Sequence, residues 1–292
     1  MSAHGHGVLP TFFIVGAPKA GTTSLHHYLE QHPEIQMSAV KEPSFFAPSS
    51  DPLTEGARVA RRDDYEALYD PAMTVRGDAS PSYAMYPLRQ GVPDRIKELV
   101  PDAKLVYVVR DPIERTISHY HQLVATSGER RPLEEALGDL GDPRSPCVCA
   151  SLYALQLELY LRRFTQDQVL VIDQADLLMQ RRPTLKKVFE FLEVDSSFES
   201  QQFDIEFLKS AGRRTYPPGF TRFMMSSVRP RSQWIPPRIR RSLRLSVERV
   251  LLPPLEMAEL DDHLRSRLED LYAGENQRLR SLTGKAFSAW SV

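Results

Sequence analysis

The segment FFIVGAPKAGTTS, at residues 12–24, constrains the fold more than any other part of this 292-residue chain. Residues 12–15 are apolar, as in a buried strand. Residues 16–21 form a tight glycine loop, and apolar residues recur at helical spacing from Thr22 onward. A strand, a glycine loop and a helix in this order bind anions, because loop N–H groups and the positive end of the helix dipole point at the same place. The sequence therefore predicts a phosphate site.

The lysine of this loop stands at an unusual position. In the ATP-binding loop G-x-x-x-x-G-K-[ST] the lysine follows the second glycine. Here Thr22 holds that position, and Lys19 lies inside the loop. This arrangement disfavours a P-loop kinase or NTPase, which we keep as the alternative enzyme class. A glycine turn that joins a strand to a helix without binding any ligand is the simplest alternative.

A second segment, KLVYVVRDPIERTISHYH at residues 104–121, repeats the strand-to-helix pattern. A buried-type strand at 105–109 ends in Arg110, a turn follows, and a helix carries Ser118. An arginine at a strand end gives a planar phosphate clamp with several donors, and a hydroxyl on the helix adds another donor. The alternative is that Arg110 pairs with a local carboxylate while Ser118 faces solvent.

The remaining pattern predicts an α/β fold. Strands at 12–15, 35–37, 105–109 and 169–173 alternate with helical segments, which favours a P-loop-like parallel sheet flanked by helices on both faces. The sequence GDASPSYAMYP at 77–87 is rich in turn residues. Besides the helix that starts at Thr22 and the one that carries Ser118, we predict helices at 63–70, 94–99, 151–164, 183–194 and 255–282. Residues 133–144 are predicted to form a helix that runs into a Gly/Asp/Pro loop. We expect a single domain over residues 8–292, with an Arg-rich insertion or lid at about 212–254.

The two motifs together resemble those of sulfotransferases that use 3'-phosphoadenosine 5'-phosphosulfate (PAPS). PKAGTTSL resembles their 5'-phosphosulfate loop, and RDPIERTISHY resembles their 3'-phosphate segment. Within this family the chain is most similar to the heparan sulfate glucosaminyl 3-O-sulfotransferase and bacterial branch. The resemblance implies PAPS as co-substrate, its desulfated form PAP as product, and no metal. The implied nucleotide contacts are Lys19, Ala20, Gly21, Thr22, Thr23, Ser24, Arg110, Ser118, Tyr153, Gly212, Arg213 and Arg214.

The resemblance also implies the catalytic groups. Lys19 would neutralise the bridging oxygen as it leaves. KEPSFF at 41–46 is similar to the segment whose glutamate is the base in 3-O-sulfotransferases, which assigns that role to Glu42. His119 and His121 are rival bases. DASPSY at 78–83 resembles the family's E-K-T-P-x-Y segment, with Ala79 in place of its lysine. The implied reaction is in-line sulfuryl transfer to a hydroxyl of a small-molecule, glycan or lipid-like acceptor.

Charge is distributed unevenly along the chain. Between Arg213 and Arg249 there are ten arginines and one acid, Glu248, so this stretch carries +9 while the whole chain carries −1. Such asymmetry suggests an anionic partner, either an acceptor under a lid or a membrane that 213–249 contacts peripherally. A merely solvated helical face is the alternative. A non-catalytic nucleotide-binding protein at a membrane surface is the alternative from another class. We expect no nucleic-acid partner.

The N-terminal residues MSAHGHGVLP lack a signal peptide's basic and apolar regions. The chain has two cysteines, Cys147 and Cys149, too few for a zinc site of their own and too close for an unstrained disulfide. We expect both to be reduced thiols in a cytoplasmic protein.

Overall fold

The computed structural model describes residues 8–48, 58–205, 258 and 260–292. Within these ranges five strands form one parallel sheet in the order β2-β3-β1-β4-β5. The strands are β1 Phe12–Gly16, β2 Ile35–Met37, β3 Val75–Ala79, β4 Lys104–Val109 and β5 Val169–Asp173. The predicted α/β fold with a parallel sheet is confirmed.

Helices flank the sheet. In chain order those of the described residues are α1 Thr22–Leu29, α2 Arg62–Glu66, α3 Val92–Leu99, α4 Pro112–Thr126, α5 Leu133–Leu137, α6 Pro146–Cys149, α7 Tyr153–Leu161, α8 Gln174–Met179, α9 Arg181–Leu192 and α10 Asp262–Thr283. Short 3₁₀ turns occur at Pro81–Ala84, Gln166–Gln168 and Gln201–Asp204. The predicted lid at 212–254 lies outside the described residues.

The order of the strands indicates where on the sheet a ligand would bind. The chain adds β2 and β3 on one side of β1 and then crosses to add β4 and β5 on the other side. Ligands of open parallel sheets bind beyond the carboxyl ends of the strands at such a switch point. Both sequence motifs lie there, because the 16–21 loop follows β1 and Arg110 follows β4.

Buried strand residues form the core. Phe13, Ile14, Leu105 and Val106 are 0% exposed, and they pack with apolar side chains of the flanking helices. A second apolar cluster, around Ile113, joins α4, α5 and α6 to α10. The long last helix therefore anchors onto the helix that follows β4, which fixes the direction from which α4 approaches the site.

Two expectations about local structure were wrong, the turn-rich stretch from residue 77 and the start of the last helix. The stretch predicted to be turn-rich from residue 77 begins inside β3, whose backbone pairs with both β1 and β2. The helix predicted to run into a loop within 133–144 ends at Leu137, where Gly138 takes a positive φ of 59° and begins that loop. The last helix begins at Asp262, where the Asp261 side chain accepts a hydrogen bond from the Leu264 N–H.

Gly77 gives the first testable prediction. A Cβ at Gly77 would collide with the ring of Phe12 and would lie 2.8 Å from Met37 Sδ, because β3 is enclosed between β1 and β2. We expect Gly77→Ala to lower the free energy of unfolding by about 1–3 kcal/mol through overpacking.

Gly274, in the middle of α10, offers the matched control. Within the described part of the chain, no neighbouring side chain comes within 4 Å of the point where its Cβ would stand. Gly274→Ala should therefore raise stability by about 0.5–1 kcal/mol, because alanine is the better helix former. Urea unfolding of both variants checks the contrast, and equal effects would contradict it.

Candidate functional site

The 16–21 loop connects β1 to α1 in the predicted manner. Lys19 and Gly21 both adopt left-handed backbone conformations, with φ of 70° and 95°. Gly21 is the N-cap of α1, and the first turn of that helix contains no acidic residue. The positive end of the helix therefore keeps its attraction for an outside anion.

Arg110 brings the second motif to this loop. It follows the last residue of β4, and its Nη1 donates to the Lys19 carbonyl oxygen at 3.4 Å, although the two residues lie 91 positions apart. Its other terminal nitrogen contacts Glu114 at 3.1 Å, so the local carboxylate pair considered in the sequence is also present. Glu114 is largely exposed, which leaves Arg110 able to exchange that partner for a phosphate. Ser118, which lies on α4 with Glu114, is 9% exposed.

Arg115 has a role that the sequence did not reveal. Its side chain is completely buried and donates from Nε to Ser151 Oγ at 2.5 Å and from Nη2 to the Cys147 carbonyl. Its Nη1 donates to the Pro18 carbonyl at 3.4 Å. Arg115 therefore ties the 16–21 loop to the region between α6 and α7. The only sequence signal is the place of Arg115 in the RDPIERTISHY segment, which does not indicate that its side chain is buried.

The 41–47 loop, which contains the predicted base, lies beside the start of α1. Lys41 Nζ donates to Thr23 Oγ1 at 2.7 Å. The Glu42 carboxylate is 3.6 Å from Lys41 Nζ and 3.9 Å from Arg58 Nη2, and its side chain is about one-third exposed. Glu42 therefore lies next to the nucleotide loop, remains open to solvent, and has two cations within 4 Å.

Neither rival histidine is open to solvent. His119 accepts a hydrogen bond at Nδ1 from Arg115 Nη1, 3.2 Å away. Burial, together with the charges of Arg115 and Lys19, holds the pKa of His119 well below its usual range. His121 is 4% exposed, and its Nε2 accepts from the Ala258 N–H at 3.0 Å. Both imidazoles thus serve packing in this conformation.

The 287–292 segment covers the carboxyl edge next to Arg110. The Trp290 indole N–H contacts both carboxylate oxygens of Asp173, at 3.2 and 3.1 Å. The Ser291 N–H and hydroxyl both donate to Asp111 Oδ2, at 2.6 and 2.7 Å. Trp290 therefore packs on the domain.

Tyr153 also lies beneath this edge. Its side chain is 1% exposed, and its ring lies 5.7 Å from that of Trp290 and 6.1 Å from that of Tyr107. Tyr153 packs against both rings, and its predicted contact with the nucleotide stays a prediction. The other predicted contacts in the C-terminal half, Gly212, Arg213 and Arg214, lie outside the described residues.

One group of side chains could hold a metal among the residues the structure describes. It consists of His26 and His27 on α1 and of Glu30, the residue after this helix, and their ligand atoms lie within 4.8 Å of one another. Burial lowers the pKa of His26 to about 4, so this imidazole is neutral. His27 Nδ1 is 3.4 Å from a Glu30 carboxylate oxygen, so these two groups can already pair with each other.

Asp78 is the most enclosed carboxyl group of the site. It lies in β3, beside β1, and is 0% exposed. Its Oδ2 accepts from the hydroxyls of Tyr65 and Tyr83, each at 2.7 Å, and its Oδ1 accepts from Ser80 Oγ at 2.6 Å. Burial raises the pKa of Asp78 to about 6, although the three hydroxyl donors oppose that change.

Comparison with known proteins identifies the family. The sulfotransferase domain family model matches residues 9–211, so the chain belongs to that family, as the two motifs predict. The human heparan sulfate glucosamine 3-O-sulfotransferase 3B1 is 30% identical over 196 residues, which are 65% of this chain and 48% of that protein. The human carbohydrate sulfotransferase 15 is 26% identical over 267 residues, covering 68% of this chain and 47% of that protein. This chain thus spans about half the length of these curated relatives.

A solved structure agrees over almost the whole chain. The crystal structure of a sulfotransferase from Alicyclobacillus acidocaldarius has a TM-score of 0.68 and 26% identity, and the match covers 98% of this chain and all of that one. The predicted family and fold are therefore confirmed. Among the residues described, no helix combines the length and apolar character that crossing a membrane requires.

The Asp78 carboxyl predicts a pH dependence of stability. In the unfolded chain its pKa is near the ordinary 3.8, whereas in the fold it is about 6, so between these values the folded state binds more protons. The free energy of unfolding should therefore fall as pH rises from 4 to 6, by about 2 kcal/mol from this group. Urea unfolding of the wild type and of Asp78→Asn across this window isolates the effect, because asparagine does not titrate. Parallel pH curves for the two proteins would contradict the prediction.

Proposed function

We propose that this protein transfers the sulfuryl group of PAPS to a hydroxyl of a small-molecule, glycan or lipid-like acceptor. The observation that carries the proposal is the contact between Arg110 and the Lys19 carbonyl, which joins the two phosphate-binding motifs into one site. Family membership and the full-length likeness to a bacterial sulfotransferase support the same reaction. PAPS supplies an activated sulfuryl group whose leaving oxygen gains charge as the bond breaks.

The chain supplies groups for both ends of the nucleotide. In this proposal Lys19 neutralises charge on the leaving oxygen, and the backbone N–H groups of Gly21, Thr22 and Thr23 hold the 5' end. Ala20 and the Ser24 hydroxyl complete the contacts around α1. Arg110 and Ser118 bind the 3'-phosphate. Arg115 contributes positive potential from beneath the loop without contacting the ligand.

The proposed base is Glu42, which takes the proton from the acceptor hydroxyl. Its partial exposure and its place beside Thr23 and Lys41 suit a group that meets the acceptor and the nucleotide at once. The buried histidines lack that access in this conformation, because Arg115 and the Ala258 N–H occupy one nitrogen of each ring.

Three finer proposals follow from the chemistry. We infer that transfer needs no metal, because a sulfuryl group carries less charge than a phosphoryl group and Lys19 is placed to offset it. We also place the protein in the bacterial-type branch and in the cytoplasm, where its two buried, unbridged thiols would stay reduced. The Arg-rich stretch at 212–254 remains a proposed lid or membrane contact.

Nucleotide choice tests the proposed class. Because Lys19 stands within the loop and Thr22 follows the second glycine, we expect PAP to bind without metal at micromolar concentrations, about −8 kcal/mol. ATP with magnesium should bind negligibly. Isothermal titration calorimetry of the two nucleotides, each with magnesium and with a chelator, checks this. Tight ATP binding that needs magnesium would replace the sulfotransferase proposal with the kinase alternative.

Arg110 and its surface partner predict opposite changes in PAP affinity. Arg110→Ala should weaken PAP binding by about 2–4 kcal/mol, since it removes charge-assisted hydrogen bonds to the 3'-phosphate. Glu114→Gln removes the competing carboxylate 3.1 Å from Arg110 and one negative charge near the phosphate, so it should bind PAP slightly more tightly. Calorimetry in low salt measures both. Equal weakening by the two variants would show that the pair acts only as a structural unit.

Glu42→Gln separates binding from chemistry. The variant keeps the shape of the side chain but cannot accept the proton, so turnover should fall by about 10²–10⁴ while PAP affinity stays nearly unchanged. The assay follows labelled sulfate from PAPS to an acceptor found by screening. Full activity in Glu42→Gln, with activity lost in His119→Ala or His121→Ala, would move the base assignment to a histidine.

A further inference from the structure

Two backbone N–H groups hold the 41–47 loop through hydroxyl bridges. The Ser44 N–H donates to Ser80 Oγ at 2.9 Å, and the Phe46 N–H donates to the Tyr83 hydroxyl at 3.3 Å. Glu42 and Ser44 both have left-handed backbones, with φ of 56° and 55°. Such conformations persist in non-glycine residues only where the surroundings hold them.

Both bridging hydroxyls end on the same buried carboxyl group. Ser80 Oγ donates to Asp78 Oδ1, and the Tyr83 hydroxyl donates to Asp78 Oδ2. A hydroxyl has one proton, so once that proton points at Asp78 the oxygen lone pairs are left to accept from the loop N–H groups. The carboxylate therefore sets the direction of both bridges. Each bridge joins residues more than thirty positions apart in sequence.

The aromatic neighbours add a third link between Asp78 and the loop. Tyr65 also donates to Asp78 Oδ2, and its ring stacks on Phe45 with centroids 4.3 Å apart and an interplanar angle of 8°. Ser44, Phe45 and Phe46 are thus each connected to one of the three groups that Asp78 organises. Glu42 precedes Ser44 by two residues, and the Ser44 hydroxyl contacts the Glu42 carbonyl at 3.4 Å.

We propose that Asp78 is a positioning residue that fixes the backbone of Glu42 beside the nucleotide loop, by orienting the hydroxyls of Ser80 and Tyr83 toward the 41–47 loop. The inference rests on the proposed function, because it assigns the aligned carboxylate of Glu42 the role of base. Asp78 is fully buried, and the proposal assigns it no contact with the nucleotide or the acceptor. The ionised form that prevails at neutral pH is the form that accepts all three hydroxyl protons.

The test removes each bridge and measures loop order and turnover separately. In Ser80→Ala and in Tyr83→Phe we expect a roughly tenfold or greater rise in amide hydrogen exchange at Ser44 and Phe46 respectively. Turnover should fall by about ten- to a hundredfold, because small misplacement of a reacting group is costly, while the dissociation constant of PAP changes less than about twofold. Asp78→Asn should combine both exchange effects. Tyr69→Phe is the control: its ring packs edge-on against Tyr65, 5.7 Å away, but lies outside both bridges.

The outcomes separate this inference from the proposed function. Unchanged exchange at Ser44 and Phe46 in both single variants overturns the positioning role, even if Asp78→Asn fails to fold. Loss of PAP affinity in step with turnover also overturns it, since that result indicates general destabilisation. If the wild type transfers no sulfuryl group to any acceptor, the proposed function fails, and the exchange measurement still decides whether Asp78 holds the loop.

Discussion

The buried guanidinium of Arg115 determines how the parts of the nucleotide edge meet. A charge enclosed in protein is costly unless its hydrogen bonds are satisfied, and here a hydroxyl, an imidazole and two backbone carbonyls accept from it. Those acceptors come from the 16–21 loop, from α4 itself and from the α6–α7 region. The cost of burying the charge is thus offset only when all three regions are in their native places. Arg115 therefore makes the shape of the loop depend on the helices behind it.

The sequence predicts the strands well where composition and burial agree. The runs that form β1, β4 and β5 are apolar and rich in β-branched residues, and the local pattern predicts all three. It does not predict β3, because VRGDA contains an arginine, a glycine and an aspartate, residues that strands disfavour or that are typical of turns. This segment forms a strand because β1 and β2 enclose it and because Gly77 leaves room for Phe12 and Met37. That reason lies in tertiary packing, which local patterns do not contain.

The candidate site, like the sheet, is only partly predictable from the sequence. The two motifs and their order along the chain predict that Arg110 and the 16–21 loop meet, because the carboxyl ends of adjacent parallel strands share one edge. The roles of Arg115 and Asp78 could not be predicted in this way. Their partners, such as Ser151 and Tyr65, are not marked by spacing and become neighbours only when the chain has folded. Buried polar groups of this kind are visible only once their burial is known.

The 287–292 segment closes the nucleotide edge through contacts between residues far apart in the sequence. Ser291 lies 180 positions after Asp111, and Trp290 lies 117 after Asp173, so these are long-range contacts whose loop closure is entropically costly. Without these contacts, the carboxylates of Asp111 and Asp173 would be hydrated, and the residues next to Arg110 would lack their cover. A chain with a formed sheet can therefore still lack a complete nucleotide edge. Nucleotide affinity then becomes a measure of completed folding, more demanding than secondary-structure content.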